Sequence, residues 1–413
     1  MTPLETMRPS LAALRERIAE EAVRVTTGAY AARLRAVVLT GSLARDEGTF
    51  LWEGERGRVL GDAEFYLVFR EREPVPPEAA VLPLARRIEL ELERDRLSCR
   101  VGLSPVSPDY LRRLPRHISP FELKTCGRVI WGDAQVLAII PEFSAADIDR
   151  EDAWRLLGNR MIEQLEAWRE LTLASQNRVP YGVIKLYLDM ATSYLVFAGA
   201  FEATYSRRDE RLGLLAEHPV GDPPFPLASF AERVHAATEF KVHGEPATAG
   251  LLIFGGLETF WKDAVRYAQR LWRWELQQLT GFRQDVKNHE LMRRWMAEQH
   301  LRRKLRGWAY VLRACGWHRS FRHWPHWIKL ARRASPRYGV YAAAGELLFQ
   351  LPELVDAGSG GASRDACGEP RLDCEEMRGW LPVARESDEE LDWQRLAADI
   401  AWNYHRFLEF TRS

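Results

Sequence analysis

A chain of 413 residues in which 58 Lys and Arg balance 58 Asp and Glu has room for two or three domains with cores of their own. Zero net charge excludes a strong overall attraction to nucleic acid or to an anionic membrane. Five scattered cysteines with no Cys-x-x-Cys pair argue against a zinc site, and an odd count without an apolar leader fits a reducing cytoplasm.

Near the start, Leu11, Leu14, Ile18, Ala22 and Val25 recur at near-helical spacing and predict an amphipathic helix rather than a signal peptide. A buried strand, Ala36-Val37-Val38-Leu39, runs directly into Thr40-Gly41-Ser42-Leu43-Ala44-Arg45. Residues Thr49 to Val59, polar and carrying Gly54 and Gly57, read as an inserted hairpin or loop. The next strand is Leu60-Gly61-Asp62-Ala63-Glu64-Phe65-Tyr66-Leu67-Val68-Phe69. Alternate strand residues share a face, so Asp62 and Glu64 point one way while Ala63 and Phe65 point to the core. Adjacent carboxylates repel unless a cation lies between them, and a hard divalent ion with oxygen ligands is the common solution. A glycine turn such as Gly41-Ser42 lets backbone N–H groups approach a phosphate closely.

A Gly-Ser turn after one strand and an acidic pair at spacing two on the next resemble the nucleotidyltransferase superfamily, whose best known member is DNA polymerase beta. The resemblance covers roughly the first 140 residues. It implies that Gly41 and Ser42 hold a triphosphate, that Arg45 adds a charge-assisted phosphate contact, and that Asp62 and Glu64 are the catalytic pair holding Mg²⁺. Two departures stand out. The segment Thr49 to Val59 lengthens the gap between turn and acids. The third carboxylate that the family usually draws from a later strand is missing: in Leu97 to Ser107, Gly102 occupies the expected position. Between these strands Glu78 to Arg96 reads as a helix, and Asp109 to Leu114 as a short one. Phe121 to Asp133 reads as a helix, a turn at Gly127 and a short strand, similar to a segment near the end of bacterial nucleotidyltransferase domains.

From Asp147 onward the pattern is helical, with Asp152 to Ala174 one helix and Val183 to Ser206 another. The apolar stretch Gly182 to Phe201 contains Lys185 and Asp189, whose insertion cost argues against a membrane span. Those two residues are spaced for a helical ion pair. The stretch through Tyr205 and Arg208 resembles the helical C-terminal domain of aminoglycoside adenylyltransferases and minimal nucleotidyltransferases. That likeness implies nucleotide contacts from Lys185, Tyr205 and Arg208. Taken singly, Lys185 and Asp189 read as a structural pair and Tyr205 as the closure of a helix end.

Helices follow over Leu227 to His243 and Leu251 to Leu279, the second carrying Phe260, Trp261, Tyr267, Trp272 and Trp274 as core or as the lining of a groove. Lys287 to Arg337 holds fourteen Lys and Arg against Glu290 and Glu298, with five His and five Trp interleaved. Such a segment is either a helix pair packed on its Trp face or a site for an anionic partner. His318, His323 and His326 lack the carboxylates or cysteines a metal site would add. The Gly358-Ser359-Gly360-Gly361 stretch marks a flexible linker, with Cys367 and Cys374 read as exposed thiols, and Glu389 to Arg412 is a final helix.

The expected architecture is α+β: a small mixed-sheet nucleotidyltransferase domain over residues 1–141 and a large all-α helical region over 142–355. A flexible linker over 356–376 and a C-terminal helical segment over 377–413 complete it. The expected activity is Mg²⁺-dependent transfer of a nucleoside monophosphate from a triphosphate, ATP foremost, to a hydroxyl of a small molecule, a glycan intermediate or a protein. The alternative is a weakly active or inactive relative that binds a nucleotide or another anion as a regulator or scaffold.

Overall fold

The computed structural model describes residues 10–173, 181–219, 221–244, 254–284, 286–316, 323–356, 374–383 and 392–408. The chain divides into two units, one of Met1–Asp152, Ala198–Val220 and Leu227–Leu252, the other of Ala153–Phe197, Gly221–Pro226 and Ile253–Ser413. The fold class is α+β. Most of the expected linker, with Cys367 and also His318, lies outside the described residues; Cys374 is described and is buried rather than exposed.

The first unit opens with α1 (Leu11–Tyr30), capped by the Ser10 hydroxyl, which accepts from the Ala13 N–H at 3.1 Å. Then come β1 (Leu34–Thr40), the single helical turn α2 (Gly41–Ala44), β2 (Thr49–Glu53), β3 (Arg56–Phe69), α3 (Glu78–Arg94) and β4 (Leu97–Val106). The short helices α4 (Pro108–Arg112) and α5 (Ile118–Cys126) lead into β5 (Arg128–Gly132). The expected insertion at Thr49 to Val59 is a hairpin that pairs Glu53 with Arg56 across Gly54, a residue at φ +63°. Strand order is β2-β3-β1-β5, all antiparallel, with β4 added parallel to β3. A parallel neighbour needs a crossover, and α3 supplies it.

Alternation along the strands decides which face is covered by what. Val37 and Leu39 of β1, with Ala63, Phe65, Leu67 and Phe69 of β3, join a core completed by Leu14, Ile18 and Val25 of α1 and Val81, Ile88 and Leu92 of α3. Ala36 and Val38 of β1 and Val68 of β3 face the other way, into a smaller core with Leu111 of α4 and Leu123 of α5. Asp62 and Glu64 share this second face with Val68, since they lie at spacing two along β3. Val68 is covered, whereas Asp62 and Glu64 are exposed. Sheet register therefore leaves the carboxylate end of that face open.

The long helix α6 (Arg150–Leu173) begins at the end of this stretch. The single helix expected over Val183 to Ser206 is two helices. The first, α7 (Tyr181–Phe197), stops short of Gly199, which adopts the left-handed conformation that ends helices, at φ +68°. The second, α8 (Tyr205–Glu217), starts behind Thr204, whose hydroxyl accepts from the Arg207 N–H. Tyr205 thus opens a helix rather than closing one. In the first unit α8 pairs with α9 (Leu227–His243), and Thr49 of β2 donates to the carbonyl of Lys241 at 2.7 Å.

The second unit contains α7 and then α10 (Leu257–Thr280), α11 (Asn288–Glu298), α12 (Leu301–Cys315), α13 (Trp324–Arg333), α14 (Pro336–Asp356), α15 (Cys374–Arg378) and α16 (Asp392–Phe407). Its core is aromatic: Trp154 stacks on Trp272 at 4.5 Å and on Tyr338 at 5.3 Å between ring centres. In the basic stretch, Trp308 and Trp327 are buried and donate to the carbonyls of Ala334 and Pro382. These two indoles are packed inward and are not a stacking platform for bases. Among the described residues no helix is long and apolar enough to cross a membrane.

Candidate functional site

The turn after β1 and the acidic strand meet directly. Thr40 is the register partner of Glu64, so the chain leaves β1 beside that carboxylate. Gly41 takes φ +69°, and a Cβ built on it would collide with Glu64 Oε2. The left-handed backbone favours glycine, and any side chain there would have to push the Glu64 carboxylate aside. The Glu47 N–H donates to the Ser42 carbonyl at 2.9 Å and closes the turn, leaving Gly41 and Ser42 partly exposed above the sheet.

Asp62 lies opposite Arg100 of the parallel neighbour, and Glu64 opposite Gly102. The Arg100 guanidinium pairs with Asp62 at 3.1 Å, with the arginine side chain 84% exposed. A pair so open to solvent is worth only about 0–1 kcal/mol, so Arg100 yields readily to a stronger cation. A Cβ at Gly102 would meet Glu64 only at Cγ, 4.0 Å away, so a larger residue fits there. No cluster of three His, Cys, Asp or Glu suited to a metal occurs among the described residues. Two exposed carboxylates beside a glycine turn nevertheless suit Mg²⁺, which keeps several waters and takes one or two carboxylates plus substrate phosphates.

Arg45, Tyr205 and Arg208 are brought together, but into a buried charge cluster. The Arg45 side chain, 5% exposed, donates to Glu47 at 3.2 Å and to Glu122 at 2.6 Å. Glu122 also pairs with Arg208, whose side chain is 3% exposed. Arg208 donates further to the carbonyl of Glu202 at 2.7 Å. Tyr205 lies under both guanidiniums, 4.9 Å from Arg45 and 5.0 Å from Arg208. Glu47 accepts from the Tyr205 and Ser206 N–H groups at 3.0 and 2.9 Å, so a carboxylate from the strand region sits on the first turn of α8. Burial opposes the charge on Arg45, but the attraction of Glu122, with Tyr205 and Glu47, outweighs it and raises its pKa above the ordinary arginine value. This cluster fastens α8 to the β1 turn.

Lys185 belongs to α7 in the second unit, where its ammonium lies 5.3 Å from the Tyr181 ring centre. The partner expected for it, Asp189, pairs instead with Arg160 of α6 at 2.6 Å, both side chains being buried. A guanidinium on a facing helix reaches the buried side of α7 where Asp189 lies, whereas Lys185 is only partly buried. Sequence reasoning missed Arg100, Glu47 and Glu122. Arg100 had a signal, since it lies at spacing two from Gly102 and so shares its face; Glu47 and Glu122 had none. Comparison with protein-family models finds no match to this chain, and comparison with curated proteins finds none either.

Proposed function

We propose that the first unit is a nucleotidyltransferase of the DNA polymerase beta type, which moves a nucleoside monophosphate from a triphosphate to a hydroxyl acceptor. The observation that carries this reading is the contact between the Gly41 turn and Glu64, with Asp62 beside it on the uncovered end of one sheet face. Backbone N–H groups at Gly41 and Ser42 would orient the phosphates, and Asp62 and Glu64 would hold Mg²⁺. Bound there, the ion supplies neutralisation of charge on the phosphates and on the departing pyrophosphate. With Gly102 in β4, Glu64 is the carboxylate nearest the turn that can take the acceptor's proton. ATP is the triphosphate to try first.

The decisive experiment is calorimetric titration of ATP, GTP, CTP and UTP with and without Mg²⁺, on the wild type and on an Asp62→Ala/Glu64→Ala variant. Mg²⁺-dependent binding of one triphosphate, weakened by at least about a hundredfold in the variant, is the expected result, on the order of two charge-assisted contacts. Survival of that binding without the carboxylates would remove them from the site.

The second reading, a nucleotide-binding regulator with little turnover, is favoured by the absence of a carboxylate opposite Glu64. Gly102→Asp tests it, because the position has space. An added carboxylate is expected to tighten Mg²⁺ binding by roughly tenfold. Transfer activity that appears only in this variant would identify the natural chain as the regulator. Unchanged Mg²⁺ affinity would show that β4 does not border the site.

A further inference from the structure

Of the 58 Lys and Arg only seven are lysines, so arginine is the cation this chain ordinarily uses. Two of the seven are buried, Lys241 and Lys304, at 2% and 6% exposure. Lys241 donates to the Thr49 hydroxyl at 3.2 Å. The side chain of Lys304, on α12, has no hydrogen bond or ion pair among the described residues. An ammonium taken out of water without a partner is costly, and losing its proton relieves that cost. Position adds to the effect, because Lys304 is the fourth residue of α12 and lies at the positive end of that helix. Burial holds its pKa below the ordinary lysine value. An arginine could not respond in this way, since it stays charged at every accessible pH.

Lys304 lines a cavity of about 580 Å³ in the second unit, within the range of small-molecule pockets. Met296, Trp308, Leu330 and Trp380 give it an apolar, partly aromatic wall. The charged residues facing it besides Lys304 are Arg293 of α11, Arg332 and Arg333 of α13, and Glu376 of α15. Glu376 pairs with Arg293 at 3.1 Å rather than with Lys304. Arg332 and Arg333 are exposed. The lining therefore carries an excess of positive charge, which further disfavours a proton on Lys304. A desolvated amine in an apolar pocket beside other cations is a nucleophile at neutral pH, and its usual target is a carbonyl carbon.

We propose that Lys304 forms an imine with an aldehyde that carries an anionic group on an aromatic body. The nitrogen lone pair adds to the carbonyl carbon, and a C–N double bond replaces the C–O bond. The carbonyl oxygen leaves as water with both amine hydrogens, so no oxidant or reductant takes part. Arg332 and Arg333 would pair with the anionic group, and the apolar wall would cover the ring. The site is separate from the carboxylate pair of β3 and does not rest on the transfer reading.

The test adds pyridoxal 5′-phosphate, an aldehyde of this class, to the full chain at neutral pH. Borohydride then reduces any imine, and mass spectrometry maps the labelled lysine. Lys304 is expected to label at least about tenfold faster than Lys329, an exposed lysine of the same unit, because more of it is unprotonated and the cavity holds the probe. Lys304→Arg, which keeps the charge and much of the length, should lose this label with an unchanged thermal transition. Arg332→Ala/Arg333→Ala should slow labelling by pyridoxal 5′-phosphate roughly tenfold and leave labelling by pyridoxal, which has no phosphate, unchanged. Mapping on the wild type decides the matter even where a variant fails to fold. Label on Lys329 ahead of Lys304, or spread over the lysines according to exposure, would overturn the proposal. So would equally tight binding of pyridoxine 5′-phosphate, which has no aldehyde, since the cavity would then hold an anion without covalent chemistry.

Discussion

Glu122→Ala is expected to destabilise the first unit by about 3–5 kcal/mol, the cost of removing one partner from a buried ion pair. Glu122 is the carboxylate shared by Arg45 and Arg208, whose side chains are 5% and 3% exposed. Without it, Arg208 keeps its bonds to backbone carbonyls and Arg45 keeps Glu47, but the charge that joined them is gone. Neither guanidinium can deprotonate to escape burial, because arginine stays charged at every accessible pH. Urea unfolding of Glu122→Ala against the wild type measures the effect, and Glu122→Gln, which keeps volume and a hydrogen-bond acceptor, should lose less. A loss under about 1 kcal/mol, the range of a solvated pair, would mean that water reaches the cluster and that α8 is held to the β1 turn by other means.

A second large effect is tied to pH. Glu275 of α10 is fully buried, takes a hydrogen bond from the Ser193 hydroxyl on one oxygen, and among the described residues has no hydrogen-bond partner on the other. Burial pushes its pKa from 4.5 up to about 8, and the Ser193 bond only partly opposes this. Between those values the folded chain holds a proton that the unfolded chain has released. Stability therefore falls as pH rises through this window, by up to about 1.4 kcal/mol per pH unit, and levels off above the folded value. Glu275→Gln mimics the neutral form and abolishes the slope. Its unfolding free energy from urea titration should match the wild type at about pH 4 and exceed it at about pH 8 by an amount on the order of a few kcal/mol. A gain of equal size at both pH values would show that Glu275 does not titrate there.

The parts of the candidate site that could be read from the chain are those governed by local rules. Period-two alternation put Asp62 and Glu64 on one face and Ala63 and Phe65 on the other, and the structure has the first two exposed and the last two buried. The glycine turn, the hairpin in the insertion, the Gly102 strand and the strand after Gly127 followed from punctuation and apolar runs. Helix ends were less legible: Gly199 and Thr204 both signalled a break, yet the continuous apolar run masked it.

Pairings between distant residues were not legible. Arg100 meets Asp62 because β4 runs parallel to β3 in one register, and no sequence pattern specifies that register. Glu47 caps a helix 158 residues further on, and Glu122 joins Arg45 to Arg208. Each charged residue alone reads as a solvated one, since burial of a charge becomes favourable only once its partner is in place.

By itself the sequence determined the α+β class, the glycine turn and the face that bears the carboxylates, because sterics and side-chain period act within a few residues. Only the tertiary structure decided that Glu64 lies against Gly41, that Arg45 and Arg208 are locked in a buried cluster, and that Lys304 lies buried on the wall of a cavity. Those outcomes depend on register and helix packing, which are settled by the summed burial of apolar surface over the whole chain rather than by any local signal.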